Sequence, residues 1–389
     1  MARSVRTAFP LRPARWTPVG MDPQMGRIFE EAGTVDFVSA PDVLALSGFI
    51  PPQIERLRTS VSDNSSWYDP AVSLAVAAVA HPGLGVIHGG INAIRNGPAE
   101  LFRAGLTLAS LTQGRAQVWV SVGELYNVKP FGYQRSQGLA RLEDHFRLYQ
   151  LLWERDTPFD FEGNVWKFEG AYLGAERSHR PEFWAMGGGP RLTEIAAKYA
   201  DGWVTCLPMA EPNPDAYAKR VLAVKEAVER AGRDPEAFGF AIIPNCLIHE
   251  DPDVIRATLQ NPMIRLLAGL WGRTPQGRWF EEGIEPPFPD GWEYSIKWDA
   301  RTMTDEQFST AMAGISDEVV AGSFLTGSPE EVTARIHAFV DAGATLVQPV
   351  DMVGLGDRTY GDPFESDSIR WRMDIYRALK QGSWSPVAP

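Results

Sequence analysis

Short apolar runs alternate with longer amphipathic stretches along most of the chain. Runs rich in β-branched and aromatic residues predict strands at Ser4–Leu11, Asp36–Ala40, Gly83–His88, Gln117–Val122, Glu182–Met186, Gly202–Leu207, Phe238–Leu247 and Ala344–Val350. Apolar positions at helical spacing predict helices at Asp22–Gly33, Pro98–Thr112, Leu139–Arg155, Pro190–Ala200, Pro214–Gly232 and Ser328–Gly343. Pro190 sits near a first turn, where a missing N–H costs nothing, and Gly232 closes a helix. Ser328-Pro329-Glu330-Glu331 reads as a capping signal. Continuous apolar strands separated by helices make a parallel sheet covered on its faces. About eight such units predict a (β/α)8 TIM barrel. A doubly wound open sheet is the alternative, but the Gly-rich fingerprint that usually follows its first strand is missing here.

One stretch breaks the rhythm. Pro252–Gly322 carries Trp271, Trp279, Trp292 and Trp298 and a proline-rich turn, Glu285-Pro286-Pro287-Phe288-Pro289. The expectation is one barrel domain over residues 1–389, with 252–322 as a long insertion at the C-terminal face. Such inserts serve as lids or substrate walls. A satellite helical packing element is the plainer reading. Arg56–Tyr68 is a second, smaller insert with Trp67 near its end.

Composition narrows the function classes. A hydrophobic share of 44% over 389 residues excludes global disorder. A net charge of −12 with no basic stripe argues against nucleic-acid binding. Two cysteines cannot build a disulfide framework, and six histidines show no ligand spacing, so no metal is predicted. No apolar run is long enough to span a membrane, and the first twenty residues lack the apolar core of a secretory signal. The expectation is a cytoplasmic protein acting on a small molecule.

In a barrel the chemistry sits at the C-terminal tips of the strands. The tips here offer Asp42 and Val43, His88-Gly89-Gly90, Gly123-Glu124-Leu125-Tyr126-Asn127 and Gly187-Gly188-Gly189-Pro190-Arg191. Glycines opening a helix suit an anion, because backbone N–H groups and the helix dipole face it. A plain strand-to-helix turn also favours glycine. Glu124 is a candidate acid or base. It is equally placed to cap a helix or to pair with Lys129 or Arg141. His88 is a candidate of the same kind, though a lone histidine is more often a hydrogen-bonded core group. No serine nucleophile elbow is present.

Several stretches resemble the luciferase-like monooxygenase superfamily, in its branch that uses coenzyme F420, a deazaflavin. They are Leu111-Thr112-Gln113-Gly114-Arg115-Ala116, Val120–Asn127 with Pro130-Phe131-Gly132 and Arg141-Leu142-Glu143, and Glu182–Ala185 through Gly189-Pro190-Arg191. Lys198–Trp203 and Gly327–Val332 complete the set. Within the insert, Trp279, Gly283-Ile284-Glu285-Pro286 and Met303 resemble the mycobacterial phthiodiolone ketoreductases.

The resemblance implies a dimeric barrel with F420 across its C-terminal face and the cofactor's phosphate near Gly187, Gly188, Gly189 and Arg191. It implies Asp42, His88, Gly89, Glu124 and Asn127 beside the ring, with Glu124 and His88 as catalytic candidates. Val43, Trp67, Tyr126 and Trp279 are the substrate-side candidates. Many members carry a histidine where this chain has Val43, so either the substrate proton comes from elsewhere, with His88 and Tyr126 the candidates, or the substrate differs. The resemblance also implies a non-proline cis peptide near Ile87-His88-Gly89. The implied activity is hydride transfer between the deazaflavin and a carbonyl, alcohol or enone, with a separate enzyme reducing the cofactor. The many aromatics suggest an apolar or aromatic substrate. An FMN-dependent monooxygenase fed by a flavin reductase, and a non-catalytic relative that binds flavin or lipid, are the alternatives.

Overall fold

The computed structural model describes residues 5–11, 33–44, 49–57, 68–356 and 367–382. The helix expected at Asp22–Gly33, except its last residue, and the candidate Trp67 lie outside them. Strands β1 (Arg6–Pro10), β2 (Phe37–Pro41), β3 (Gly85–Asn92) and β4 (Ala116–Ser121) come first. An antiparallel hairpin follows, β5 (Phe159–Glu162) and β6 (Lys167–Ala171), then β7 (Glu182–Met186), β8 (Gly202–Leu207) and β9 (Gly239–Ile248). Three short strands complete the series, β10 (Leu325–Gly327), β11 (Leu346–Val347) and β12 (Val350–Asp351). The parallel order β11-β1-β2-β3-β4-β7-β8 closes through β9, which pairs with both β8 and β11. This is a closed eight-stranded (β/α)8 barrel, and each of the eight predicted strands is one of its staves.

The interior is filled by Ala8, Phe37, Ile87, Trp119, Trp184, Val204, Ala241 and Leu346. Trp184 needs room, and Gly202 and Gly239 provide it. A β-carbon at either position would lie 2.5 or 2.1 Å from the indole. Polar groups close the N-terminal end. Trp184 Nε1 and Gln117 Nε2 both donate to Glu182 Oε2, at 2.9 and 2.8 Å, and Trp119 Nε1 donates to Gln117 at 3.0 Å. The barrel is therefore packed from its floor upward, and chemistry is confined to the C-terminal mouth.

The predicted capping box forms at Ser328, which accepts from Glu331 N while the Glu331 carboxylate accepts from Ser328 N. The long insertion is helical, at Pro252–Leu259, Pro262–Trp271, Asp305–Ala313 and Asp317–Gly322 with shorter turns between. Asp251, Asn261, Thr304 and Ser316 cap those four helices, which is why the chain turns where it does. The insertion has its own core of Leu266, Leu267, Leu270, Trp279, Ile315 and Val319. It is fastened over the mouth at several points. Trp298 Nε1 donates to Phe49 O at 2.8 Å, Gln53 Nε2 to Met303 O at 2.9 Å, and Lys129 and Arg278 pair with Asp299 and Glu211.

Among the described residues the cis peptide bonds are Leu207-Pro208 and Thr274-Pro275. The cis bond expected near His88 is absent. A β-bulge between His88 and Ile91 stands in its place, with Gly90 at φ +72°. Gly90 takes the positive φ within the bulge, where the strand bends.

Candidate active site

After β4 the chain turns at Gly123, whose φ is +77° and whose absent side chain makes room for Asn92. Glu124 follows in extended conformation and precedes a single helical turn, Leu125–Val128, which it does not cap. Its carboxylate accepts two phenol hydrogen bonds. Tyr126 Oη donates to Oε2 at 2.5 Å, and Tyr294 Oη, from the insertion, donates to Oε1 at 2.7 Å. The other partners open to it in sequence are engaged elsewhere. Lys129 pairs with Asp299 at 3.3 Å, and Arg141 bonds Gln137 and covers the Trp166 ring.

Aromatic rings surround this carboxylate. Tyr126 packs on Phe49 at 5.2 Å, Trp271 stacks on Phe49 at 5.1 Å, and Trp271 meets Tyr294 edge-on at 6.3 Å. The burial shows in the titration of the neighbours. Burial first, and the Glu124 charge second, hold both phenols well above the ordinary tyrosine range. The Cys206 thiol is pushed up to about 12 by the same two causes, so it is a neutral wall group. Burial also lowers the Arg135 guanidinium, against the opposing pull of Glu293, Glu124 and Tyr294.

Asp42 and Asn127 meet beside this corner. Asn127 Nδ2 donates to Asp42 O at 3.1 Å, and Asn127 Oδ1 accepts from Leu44 N at 3.3 Å. The asparagine thus pins the loop after β2, including Val43, against the loop after β4. The Asp42 carboxylate pairs with Arg95 at 2.8 Å and accepts from Asn96 at 3.2 Å. His88 is buried on β3, and burial lowers it to about 4, so at neutral pH it is an uncharged imidazole. Its Nδ1 has no partner among the described residues.

The third corner is made of backbone. Gly187, with φ +148°, and Gly188 lead to Gly189, which begins the helix Pro190–Tyr199 with no side-chain cap. A β-carbon on Gly188 would press on Ala210 at 3.0 Å, and one on Gly189 would enter open space. The buried Thr205 hydroxyl nearby has no partner among the described residues. Unspent helix N–H groups and an orphan hydroxyl suit an anionic oxygen. Arg191 points away and is tied to Glu143 at 2.7 Å and Glu194 at 3.1 Å.

The barrel mouth therefore gathers Asp42, Val43, His88, Gly89, Glu124, Tyr126, Asn127 and the three glycines on adjacent strand tips. It does not gather Trp279, which is fully buried in the insertion's core beneath the Arg273 guanidinium at 4.2 Å. Sequence reasoning missed Tyr294, Arg95 and Arg135. Arg95 follows the β3 tip by three residues and had a positional signal; Tyr294 had none. Among the described residues no group of His, Cys, Asp and Glu side chains is placed to hold a metal ion, and no helix is long and apolar enough to cross a membrane.

Comparison with known proteins gives consistent results. The family model for luciferase-like monooxygenases matches residues 36–346. A phthiodiolone/phenolphthiodiolone dimycocerosates ketoreductase of Mycobacterium tuberculosis is 27% identical over 263 residues, 65% of this chain and 66% of that protein. The chain thus spans just under two thirds of that relative's length. An F420-dependent glucose-6-phosphate dehydrogenase of Kineococcus radiotolerans is 26% identical over 267 residues, 65% of this chain and 67% of the other. A solved F420-dependent secondary alcohol dehydrogenase, in complex with an F420-acetone adduct, superposes with a TM-score of 0.65. It covers 97% of this chain and 98% of its own at 16% identity, a likeness of fold.

Proposed function

The chain belongs to the luciferase-like monooxygenase family, and we propose that it is an F420-dependent oxidoreductase. In this reading it moves a hydride between the deazaflavin and a carbonyl, alcohol or enone of an apolar or aromatic substrate. The observation that carries the reading is the half-buried Glu124 carboxylate, which follows the β4 tip and is held by two phenols. The F420-dependent relatives support the same cofactor.

Gly187, Gly188, Gly189 and the following helix N–H groups would receive the cofactor's anionic tail, with Thr205 available as a further donor. Asp42, His88, Gly89, Glu124 and Asn127 would face its ring. When bound, a 5-deazaflavin supplies or accepts a hydride at a ring carbon and has little use for oxygen. What remains for the chain is orientation, exclusion of water and proton placement. Asn127 and Arg95 fix the Asp42 loop. Phe49 and Trp271 pack against the phenols that hold Glu124. Glu124 handles a proton at its carboxylate oxygens. His88 offers an uncharged nitrogen. Homodimerisation and a separate cofactor-reducing enzyme belong to the same proposal.

The experiment mixes purified protein with reduced F420 and a panel of apolar ketones and enones, and follows the return of oxidised-cofactor absorbance. Ketone-dependent and oxygen-independent oxidation supports the reading. Formation of an oxygenated product from the substrate, dependent on both oxygen and reduced FMN, would instead support a two-component monooxygenase, the reading that the family's name favours. Binding without turnover of either cofactor would point to the non-catalytic relative, consistent with Val43 in place of a histidine.

A further inference from the structure

Tyr294 lies 170 residues from Glu124 in the chain, on the one-turn helix Tyr294–Lys297 of the insertion. Its hydroxyl nevertheless ends 2.7 Å from Glu124 Oε1, while Tyr126 occupies Oε2. A phenol donates its single proton, so both carboxylate oxygens act as acceptors. Two donated bonds fix the direction of the carboxylate from two sides. The other charged or titratable groups facing this cluster are Arg95, Arg135, Glu293 and Cys206. Arg135 makes no ion pair within 4 Å among the described residues, so the phenols are the direct partners of the carboxylate.

We propose that Tyr294 is a positioning residue contributed by the insertion, which with Tyr126 fixes the direction of the Glu124 carboxylate beside the barrel mouth. The reaction centre is complete only when the insertion is seated. The anchors described above, Trp298 on Phe49 O, Gln53 on Met303 O and Lys129 on Asp299, set that seating. The proposal rests on the hydride-transfer reading for its consequence in catalysis, while its structural content concerns the chain alone.

The test uses infrared difference spectroscopy on the cofactor-free full chain. Wild type minus Glu124→Gln isolates the carboxylate stretch of Glu124. Tyr294→Phe removes one donor and is expected to move that band, with the melting temperature nearly retained. In the loaded protein the same variant is expected to slow single-turnover hydride transfer by roughly 10–100-fold, the worth of a hydrogen bond to a charged group. F420 affinity by fluorescence titration is expected to stay within about twofold. An unmoved band in a folded variant overturns the proposal. If Tyr294→Phe does not fold, 3-fluorotyrosine at position 294 keeps the shape and strengthens the donor. The band is then expected to move, and an unmoved band overturns the proposal equally. If the protein binds FMN and not F420, the proposed function falls, but the infrared result still decides the role of Tyr294.

Discussion

Two corners of the barrel mouth are built from different materials. The Glu124 corner is made of side chains from three distant stretches: the loop after β4, Phe49 after β2, and Trp271 and Tyr294 from the insertion. The Gly188 corner is almost wholly backbone from one stretch, with Thr205 and Ala210 behind it. The first is aromatic; the second is open and donor-rich and suited to an anion. Under the proposed function the first would handle the proton and the second would anchor the cofactor, and each corner is expected to fail in its own way.

The largest expected effect is at Glu124. Glu124→Gln keeps shape and one of the two phenol hydrogen bonds but cannot transfer a proton. Hydride transfer should fall by roughly 10²–10⁴-fold, the usual worth of a positioned acid or base. F420 affinity should change far less. Single-turnover rates beside a binding titration check this, and an unchanged rate would return Glu124 to a structural role.

Trp279 separates the insertion's core from its wall. Because the indole is fully buried, Trp279→Ala should cost about 3–5 kcal/mol of stability by chemical denaturation, as large aromatic truncations do. A raised KM with unchanged stability would place the ring against substrate after all.

His88 stands between the corners and makes stability depend on pH. Its folded value of about 4 lies below the ordinary 6.5. Below pH 6.5 the unfolded chain binds a proton that the folded chain refuses. Stability is therefore lost as pH falls from 6.5 towards 4, by about 1.4 kcal/mol per unit and roughly 3 kcal/mol in all. His145, lowered to about 3 by burial, acts with the same sign. Denaturation curves between pH 7 and 4 should show a shallower loss for His88→Gln than for wild type. Parallel curves would mean that the imidazole is already solvated in the native state.

The smallest of these effects is at the anion corner. Gly188→Asp adds a β-carbon against Ala210 and a negative charge where helix N–H groups converge. F420 affinity should weaken by roughly tenfold or more, about 1.4 kcal/mol, while the rate from the saturated complex is nearly kept. Affinity within twofold would make the glycines a turn and nothing more.

The same contrast explains what could be read from the sequence. The staves were legible because strands buried on both faces are short apolar runs, as at Gly202–Leu207. The Gly187–Gly189 corner was legible because its parts are adjacent in the chain. The helix Pro70–Ala80 was not, since Ala, Val and Leu surround it and blur the helical period. The hairpin at β5 and β6 was missed because its turn is held from outside, by the buried Asp144 carboxylate accepting from Asn164, Val165 and Trp166 N–H groups. Tyr294 was invisible for the same reason, because a one-turn helix reaches Glu124 only through the packing of the whole insertion. Trp279 misled because a tryptophan-rich insert looks alike whether its rings face a substrate or each other.

The most direct measurement of the central claim is a paired titration of the purified chain with F420 and with FMN, read by quenching of each cofactor's own fluorescence. The account predicts saturable F420 binding at least about tenfold tighter than any FMN binding, weakened by roughly tenfold or more in Gly188→Asp but not in Glu124→Gln. Tighter binding of FMN, with none of F420, would contradict it.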